Sequence, residues 1–137
     1  MGPVLIIEDD PDIAESLRYG LEAAAFETRV AFTGEEGLSE SLNKTHPPAL
    51  ILLDLLLPGM SGAEICRRLR LEPATRRTPI MMISARASAA DIAVGLGLGA
   101  DDYIAKPFSI KEVISRIRSL LSSREAMWAE VEDTTVN

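Results

Sequence analysis

Short, unbroken runs of aliphatic residues recur along the chain, and each is closed by a polar or charged residue. Val4-Leu5-Ile6-Ile7, Leu50-Ile51-Leu52-Leu53 and Ile80-Met81-Met82-Ile83 lack the apolar/polar alternation of a half-exposed strand. Runs this short read as strands buried on both faces, as in the parallel sheets of α/β proteins. Two weaker strands, Glu27 to Phe32 and Tyr103-Ile104-Ala105, complete a set of five. Between the strands the apolar period lengthens to that of a helix. Ile13, Leu17, Leu21 and Ala24 predict a helix after Pro11, and Gly34 to about Asn43 predicts a shorter one. The Ile65/Leu69 pair marks a third that ends near Glu72-Pro73, because the residue before proline leaves helical space. Ser88 to Leu98 is helical by pattern but weakened by Gly95 and Gly97. Ile110, Val113, Ile114, Ile117, Leu120 and Leu121 form the cleanest stripe, so the last helix is the surest. Strand and helix alternate five times, and right-handed crossovers turn that alternation into a doubly wound parallel sheet with helices on both faces.

The chemistry-bearing residues fall where the strands end. Glu8 and Asp9 follow the first strand, Asp54 closes the third, Ser84 the fourth, and Lys106 follows the fifth. Open α/β sheets place their ligands at these carboxyl ends. Three carboxylates on one rim repel one another, and a divalent cation relieves that repulsion. The donors are all oxygen, with no histidine or cysteine nearby, which predicts Mg²⁺, or Mn²⁺ in its place. Magnesium takes one or two carboxylates and commonly a phosphate oxygen. Ser84 offers a hydroxyl and Lys106 a compact positive charge, both suited to phosphoryl oxygens. Asp54 is then a nucleophile able to hold a phosphoryl group as an aspartyl phosphate. Asp10 has a humbler part, capping the helix that begins at Pro11.

Bulk properties narrow the choice of partner. With 137 residues, 47% of them hydrophobic, the chain forms one ordinary domain without disulfide or metal staples. A net charge of −7 and a pI near 4.7 argue against direct contact with nucleic acid or an anionic membrane. Any DNA contact needs an output domain outside this chain. Cys66 is the sole cysteine and reads as a small apolar helix residue in a reducing compartment. No stretch of about eighteen apolar residues and no charged leader is present, so the expected location is the cytoplasm. Residues 1–123 read as the domain. Residues 124–137 read as a C-terminal extension or the start of a linker, with Met127 and Trp128 continuing the helical phase of Ile117 and Leu121.

Four segments in order, Glu8-Asp9-Asp10-Pro11, Asp54 to Gly62, Ser84-Ala85-Arg86 and Gly99 to Phe108, resemble the receiver domain of two-component response regulators over about residues 3 to 122. The resemblance implies a flavodoxin-like (βα)5 fold with strand order 2-1-3-4-5, and phosphoryl transfer to Asp54 from a sensor histidine kinase. It also implies that Mg²⁺ is held by Asp9, Asp54 and the backbone carbonyl of Leu56, with Glu8 acting through water. Ser84 and Tyr103 match the switch positions, Lys106 the phosphate-binding lysine, and the Lys106-Pro107 peptide is expected to be cis. Phosphorylation would add about −1.5 to −2 charge at Asp54, draw Ser84 towards it and let Tyr103 turn inward. That would reshape the face built from the fourth and fifth helices and the fifth strand.

The segment Ala100-Asp101-Asp102-Tyr103, with Glu112 and Arg116, is similar to the OmpR/PhoB transcriptional subfamily, whose phosphorylated receivers pair through that face. Asp101, Asp102, Glu112 and Arg116 match its charged positions, while Ile92 and Gly97 stand where charges would be expected, which predicts a more apolar contact. A stand-alone regulator acting by protein contact is the alternative output. The chain is read as a signalling switch, not a turnover enzyme: a phosphatase of this kind needs an acid/base carboxylate two residues after its nucleophile, and Leu56 cannot serve. A flavin carrier is opposed by Glu8-Asp9-Asp10, which would repel the flavin phosphate. Leu56 and Arg86 are expected to shield the acyl phosphate from water.

Overall fold

In chain order the elements are β1 (Val4–Ile7), α1 (Pro11–Ala23), β2 (Thr28–Ala31), α2 (Gly34–Ser41), β3 (Leu50–Asp54), α3 (Gly62–Leu71), β4 (Ile80–Ser84), α4 (Ala89–Gly97), β5 (Asp102–Ala105) and α5 (Ile110–Val136). They belong to a computed structural model that describes residues 2–136, with side-chain surroundings as far as residue 123. The expected continuation of the apolar stripe at Met127 and Trp128 lies outside the described residues. All strand pairs are parallel, and the sheet order is β2-β1-β3-β4-β5, the doubly wound order implied above.

A strand's side chains alternate between faces, so an all-apolar strand feeds two cores at once. Leu5, Ile7, Ile51, Leu53, Ile80 and Met82 pack with Ile65, Cys66 and Leu69 of α3. Their neighbours Val4, Ile6, Leu50, Leu52, Met81 and Ile83 pack on the other face with Leu17 and Leu21 of α1 and Val113 and Ile117 of α5. Every residue of β1, β3 and β4 is buried, and each large aliphatic side chain so covered contributes about 1.5–3 kcal/mol relative to exposure. Cys66 sits in this core, where burial pushes its thiol pKa up, in keeping with an inert packing role.

The edges depart from the expected limits for local reasons. β2 spans Thr28–Ala31 because its ladder partner β1 offers four residues, from Val4 opposite Thr28 to Ile7 opposite Ala31. β5 starts at Asp102, which stands in register with Met81. α2 stops at Ser41; Asn43 then turns the chain, its side chain accepting the amides of Thr45 and His46. α1 begins as expected, with the Asp10 carboxylate accepting the Asp12 amide at 2.9 Å. α3 ends at Leu71, with Glu72 extended ahead of Pro73.

At the amino end of the sheet Arg70 ties three segments together. Its guanidinium donates to the carbonyls of Thr78 at 2.7 Å and Gly99 at 2.9 Å, and to Asp101 Oδ2 at 2.9 Å. The same Asp101 oxygen accepts the Ile80 amide at 2.8 Å, so the start of β4 hangs on this pair. Gly99 has φ +113°, and a Cβ there would come 2.8 Å from Arg70 Cγ, so both conformation and space call for glycine. Among the described residues, no helix is long and apolar enough to cross a membrane.

Candidate functional site

Continuing the alternation past the strand ends decides which way each functional group faces. Glu8 follows Val4 and Ile6, Asp54 follows Leu50 and Leu52, and Lys106 follows Ile104, so these three share the side of the sheet covered by α1 and α5. Ser84 follows Ile80 and Met82 on the opposite side, where Tyr103 also packs. The rim thus has a charged half and a hydroxyl half.

In the charged half, Lys106 Nζ lies 2.7 Å from Glu8 Oε1 and 3.1 Å from Asp54 Oδ2. Asp54 Oδ1 accepts the Leu56 amide at 3.0 Å, and Glu8 Oε2 accepts the Asp10 amide at 3.2 Å. Glu8 and Asp54 are 2% and 5% exposed, whereas Asp9 stands in solvent. Carboxylate oxygens of Glu8, Asp9 and Asp54 all lie within 4.8 Å of one another. Three carboxylates against the Lys106 ammonium leave an excess of negative charge. Burial pushes the Glu8 carboxyl pKa up to about 7, reinforced by its hydrogen bond with Asp54 and only partly offset by Lys106. Burial works against the Lys106 ammonium too, but its bonds to Glu8 and Asp54 outweigh that and hold its pKa above the ordinary value. A cluster of hard oxygen donors with one carboxyl forced towards neutrality fits a divalent cation, which removes the repulsion without a proton.

In the hydroxyl half, the fully buried Ser84 Oγ accepts the Arg86 amide at 3.0 Å. Tyr103 is 5% exposed and its phenol donates to the Arg86 carbonyl. The Arg86 peptide therefore bridges Ser84 and Tyr103. The Lys106-Pro107 peptide is cis, as expected. A cleft of about 540 Å³, lined in part by Ile13, Ala85, Lys106 and Phe108, opens beside Lys106.

Sequence residues 4–118 match the family model described as the response regulator receiver domain. The chain belongs to this family. It is 42% identical over 118 residues to the phosphate regulon transcriptional regulatory protein PhoB of Rhizobium meliloti, covering 86% of this chain and 51% of that one. It is 40% identical over 128 residues to the DNA-binding response regulator MtrA of Mycolicibacterium smegmatis, covering 93% and 54%. The chain spans about half the length of the curated relatives it matches. Among solved structures, the receiver domain of a Francisella response regulator superposes with a TM-score of 0.83 at 33% identity, covering 90% of this chain and 99% of that one. The chemotaxis protein CheY4 of Vibrio cholerae gives 0.80 at 25%, covering 88% and 98%. The relatives named PhoB and MtrA agree with the OmpR/PhoB resemblance drawn from the charged segment around β5. A receiver domain is a signalling module, not a turnover enzyme.

Glu8, Asp9, Asp54 and Lys106 are brought together by the fold, with Ser84 and Tyr103 joined to each other through Arg86. Asp102, Glu112 and Arg116 also meet: Arg116 donates to Asp102 Oδ1 and Glu112 Oε1, both at 2.8 Å. Asp101 is instead turned to Arg70 and the Ile80 amide. Two participants escaped the sequence reading. Arg70 looked like any arginine on an amphipathic helix, and the bridging role of Arg86 belongs to its backbone, which carries no sequence label.

Proposed function

We propose that Asp54 accepts a phosphoryl group from the phosphohistidine of a sensor kinase, and that the resulting aspartyl phosphate resets the surface formed by α4, β5 and α5. The observation that carries this reading is the buried Asp54 carboxylate, one oxygen facing Lys106 and the other the Leu56 amide, inside a nest where burial, with the hydrogen bond to Asp54, pushes Glu8 towards neutrality. A carboxylate oxygen of Asp54 attacks phosphorus, the P–N bond breaks, and the imidazole leaves with the electron pair and takes up a proton. Lys106 then exchanges its contact with Asp54 for a phosphoryl oxygen. Asp9, Asp54 and the Leu56 carbonyl would hold Mg²⁺, with Glu8 acting through water, and the ion would neutralise the incoming phosphoryl oxygens.

Ser84 passes the change on. Its hydroxyl hydrogen-bonds the new phosphoryl oxygen, the Arg86 peptide follows, and Tyr103 answers through the Arg86 carbonyl. The cleft between α1 and the segment leading into α5 suits the approaching donor, because Lys106 is among the residues that line it. We assign the exchange to the cytoplasm, a reducing compartment with which the single free Cys66 is in keeping. Asp101, Asp102, Glu112 and Arg116 belong to the face on which phosphorylated copies pair. Transcriptional output, by analogy with PhoB and MtrA, needs a DNA-binding domain beyond the receiver. Leu56, 49% exposed, and the exposed Arg86 cover the approach of water to the acyl phosphate.

Incubation with acetyl phosphate and Mg²⁺, read by intact mass, tests the core of this reading. One acid-labile phosphoryl group per chain is expected, and none on Asp54→Asn. Undiminished labelling of the Asn variant would overturn it.

A further inference from the structure

α4 has an unusual hold on the sheet. It runs for nine residues, Ala89–Gly97, and its one buried residue is a glycine, Gly95. The half-buried Ile92 also packs on the core, but the closest approach of the helix to the sheet is made at Gly95, so what that glycine touches sets how near α4 can lie. A Cβ built at position 95 would lie 2.8 Å from both Cδ2 and Cε2 of the Tyr103 ring and 3.1 Å from Met82 Sδ. Carbon atoms do not approach to 2.8 Å, so this ring position and a side chain at residue 95 exclude each other. Two residues on, Gly97 provides the contrast: a Cβ there would meet nothing within 4 Å. Glycine is a weaker helix former than alanine, and only at Gly95 does packing explain its presence.

We propose that the missing side chain at Gly95 is the seat of the Tyr103 ring, which makes Gly95 a positioning residue for the switch. The seat fixes two things together: how far Tyr103 turns in, and how closely α4 lies on β5. With Tyr103 seated, its phenol reaches the Arg86 carbonyl, and the Arg86 amide reaches Ser84 Oγ. The ring is thus the last member of a chain running from the rim of the site to the backbone of α4. A methyl group at residue 95 breaks that chain at its far end and leaves the carboxylate nest untouched. This inference rests on the reading of Tyr103 as the residue that carries a change at Asp54 to α4.

The test uses the full chain labelled with 3-fluorotyrosine. The sequence has two tyrosines, and Tyr19, 76% exposed, supplies the reference for a solvated ring and is assigned through Tyr19→Phe. Gly95→Ala is expected to move the Tyr103 ¹⁹F resonance towards that of Tyr19, while Gly97→Ala, the same chemical change in the same helix, leaves it in place. An unmoved Tyr103 resonance in Gly95→Ala overturns the seat. Should Gly95→Ala fold poorly, a double-mutant cycle in urea decides the matter. With the ring removed by Tyr103→Ala, alanine at residue 95 should raise the unfolding midpoint; an equal loss with and without the ring overturns the proposal. Labelling of Asp54 by acetyl phosphate is read separately, and both glycine variants should retain it. Failure of the parent chain to label would sink the phosphoacceptor reading, whereas the seat stands or falls on the resonance and the urea cycle.

Discussion

Lys106 and Arg70 each place a cation between strand ends, one at either end of the sheet, and their surroundings differ in a way that separates chemistry from scaffolding. Arg70 finds an acceptor at each of its three nitrogens: backbone carbonyls from the segments before β4 and β5, and the Asp101 carboxylate, which is itself satisfied by the Ile80 amide. Its planar fork of donors matches that fixed array. Lys106 is shared between Glu8 and Asp54 with Asp9 close by, so negative charge exceeds positive, and burial together with the Asp54 hydrogen bond drives Glu8 towards its neutral form. A satisfied cluster resists change. An unsatisfied one stores a demand for further positive charge and rearranges when that demand is met.

Substitution should separate the two clusters. Asp54→Asn should abolish phosphoryl labelling while leaving the fold intact, and Arg70→Ala should do the reverse. Removing Arg70 strands several carbonyls and takes one donor from the Asp101 carboxylate, a loss of about 2–3 kcal/mol, measurable as a lower urea midpoint with labelling at Asp54 retained. If Arg70→Ala abolished labelling in a folded protein, the division into scaffold and chemistry would be wrong.

A smaller effect concerns pH. Between about 4.5, the ordinary value, and about 7, the folded chain keeps a proton on Glu8 that the unfolded chain has released. The contribution of Glu8 to stability is therefore complete below about 4.5 and is lost as pH rises through about 7. Urea midpoints of metal-free protein across this window should fall with pH, and Glu8→Gln should flatten the fall. Added Mg²⁺ should restore stability at pH 7 in the parent chain, since it takes the place of the proton. Arg70→Ala should lower every midpoint but keep this window, since it leaves Glu8 and its neighbours in place. The smallest effect lies in phosphate lifetime. Leu56→Asn and Arg86→Ala should each hasten loss of the acyl phosphate several-fold, followed by intact mass after removal of the phosphodonor; an unchanged rate would show that these side chains do not govern access of water.

The strands and helices were legible because buried parallel strands are written as aliphatic runs and the helices as stripes, and neither signal needs a partner to be seen. Glu8, Asp54, Ser84 and Lys106 were legible for a related reason, since each interrupts an apolar run at its carboxyl end. The limits of β2 were not, because a ladder is only as long as its neighbour. Nor were Arg70 and Gly95: an arginine on a polar helix face and a glycine in a weak helix look ordinary until the residues that surround them are known.

Hydrophobic spacing alone thus determined the element order and the rim on which the functional groups gather, because burial of apolar side chains is governed by local periodicity. Only the tertiary structure decided that Lys106 bridges Glu8 and Asp54, that Asp101 serves Arg70, and that Tyr103 lies over Gly95. Those outcomes depend on distances between residues far apart in sequence, and such distances are set by how helices and sheet pack, not by the order in which the residues are joined.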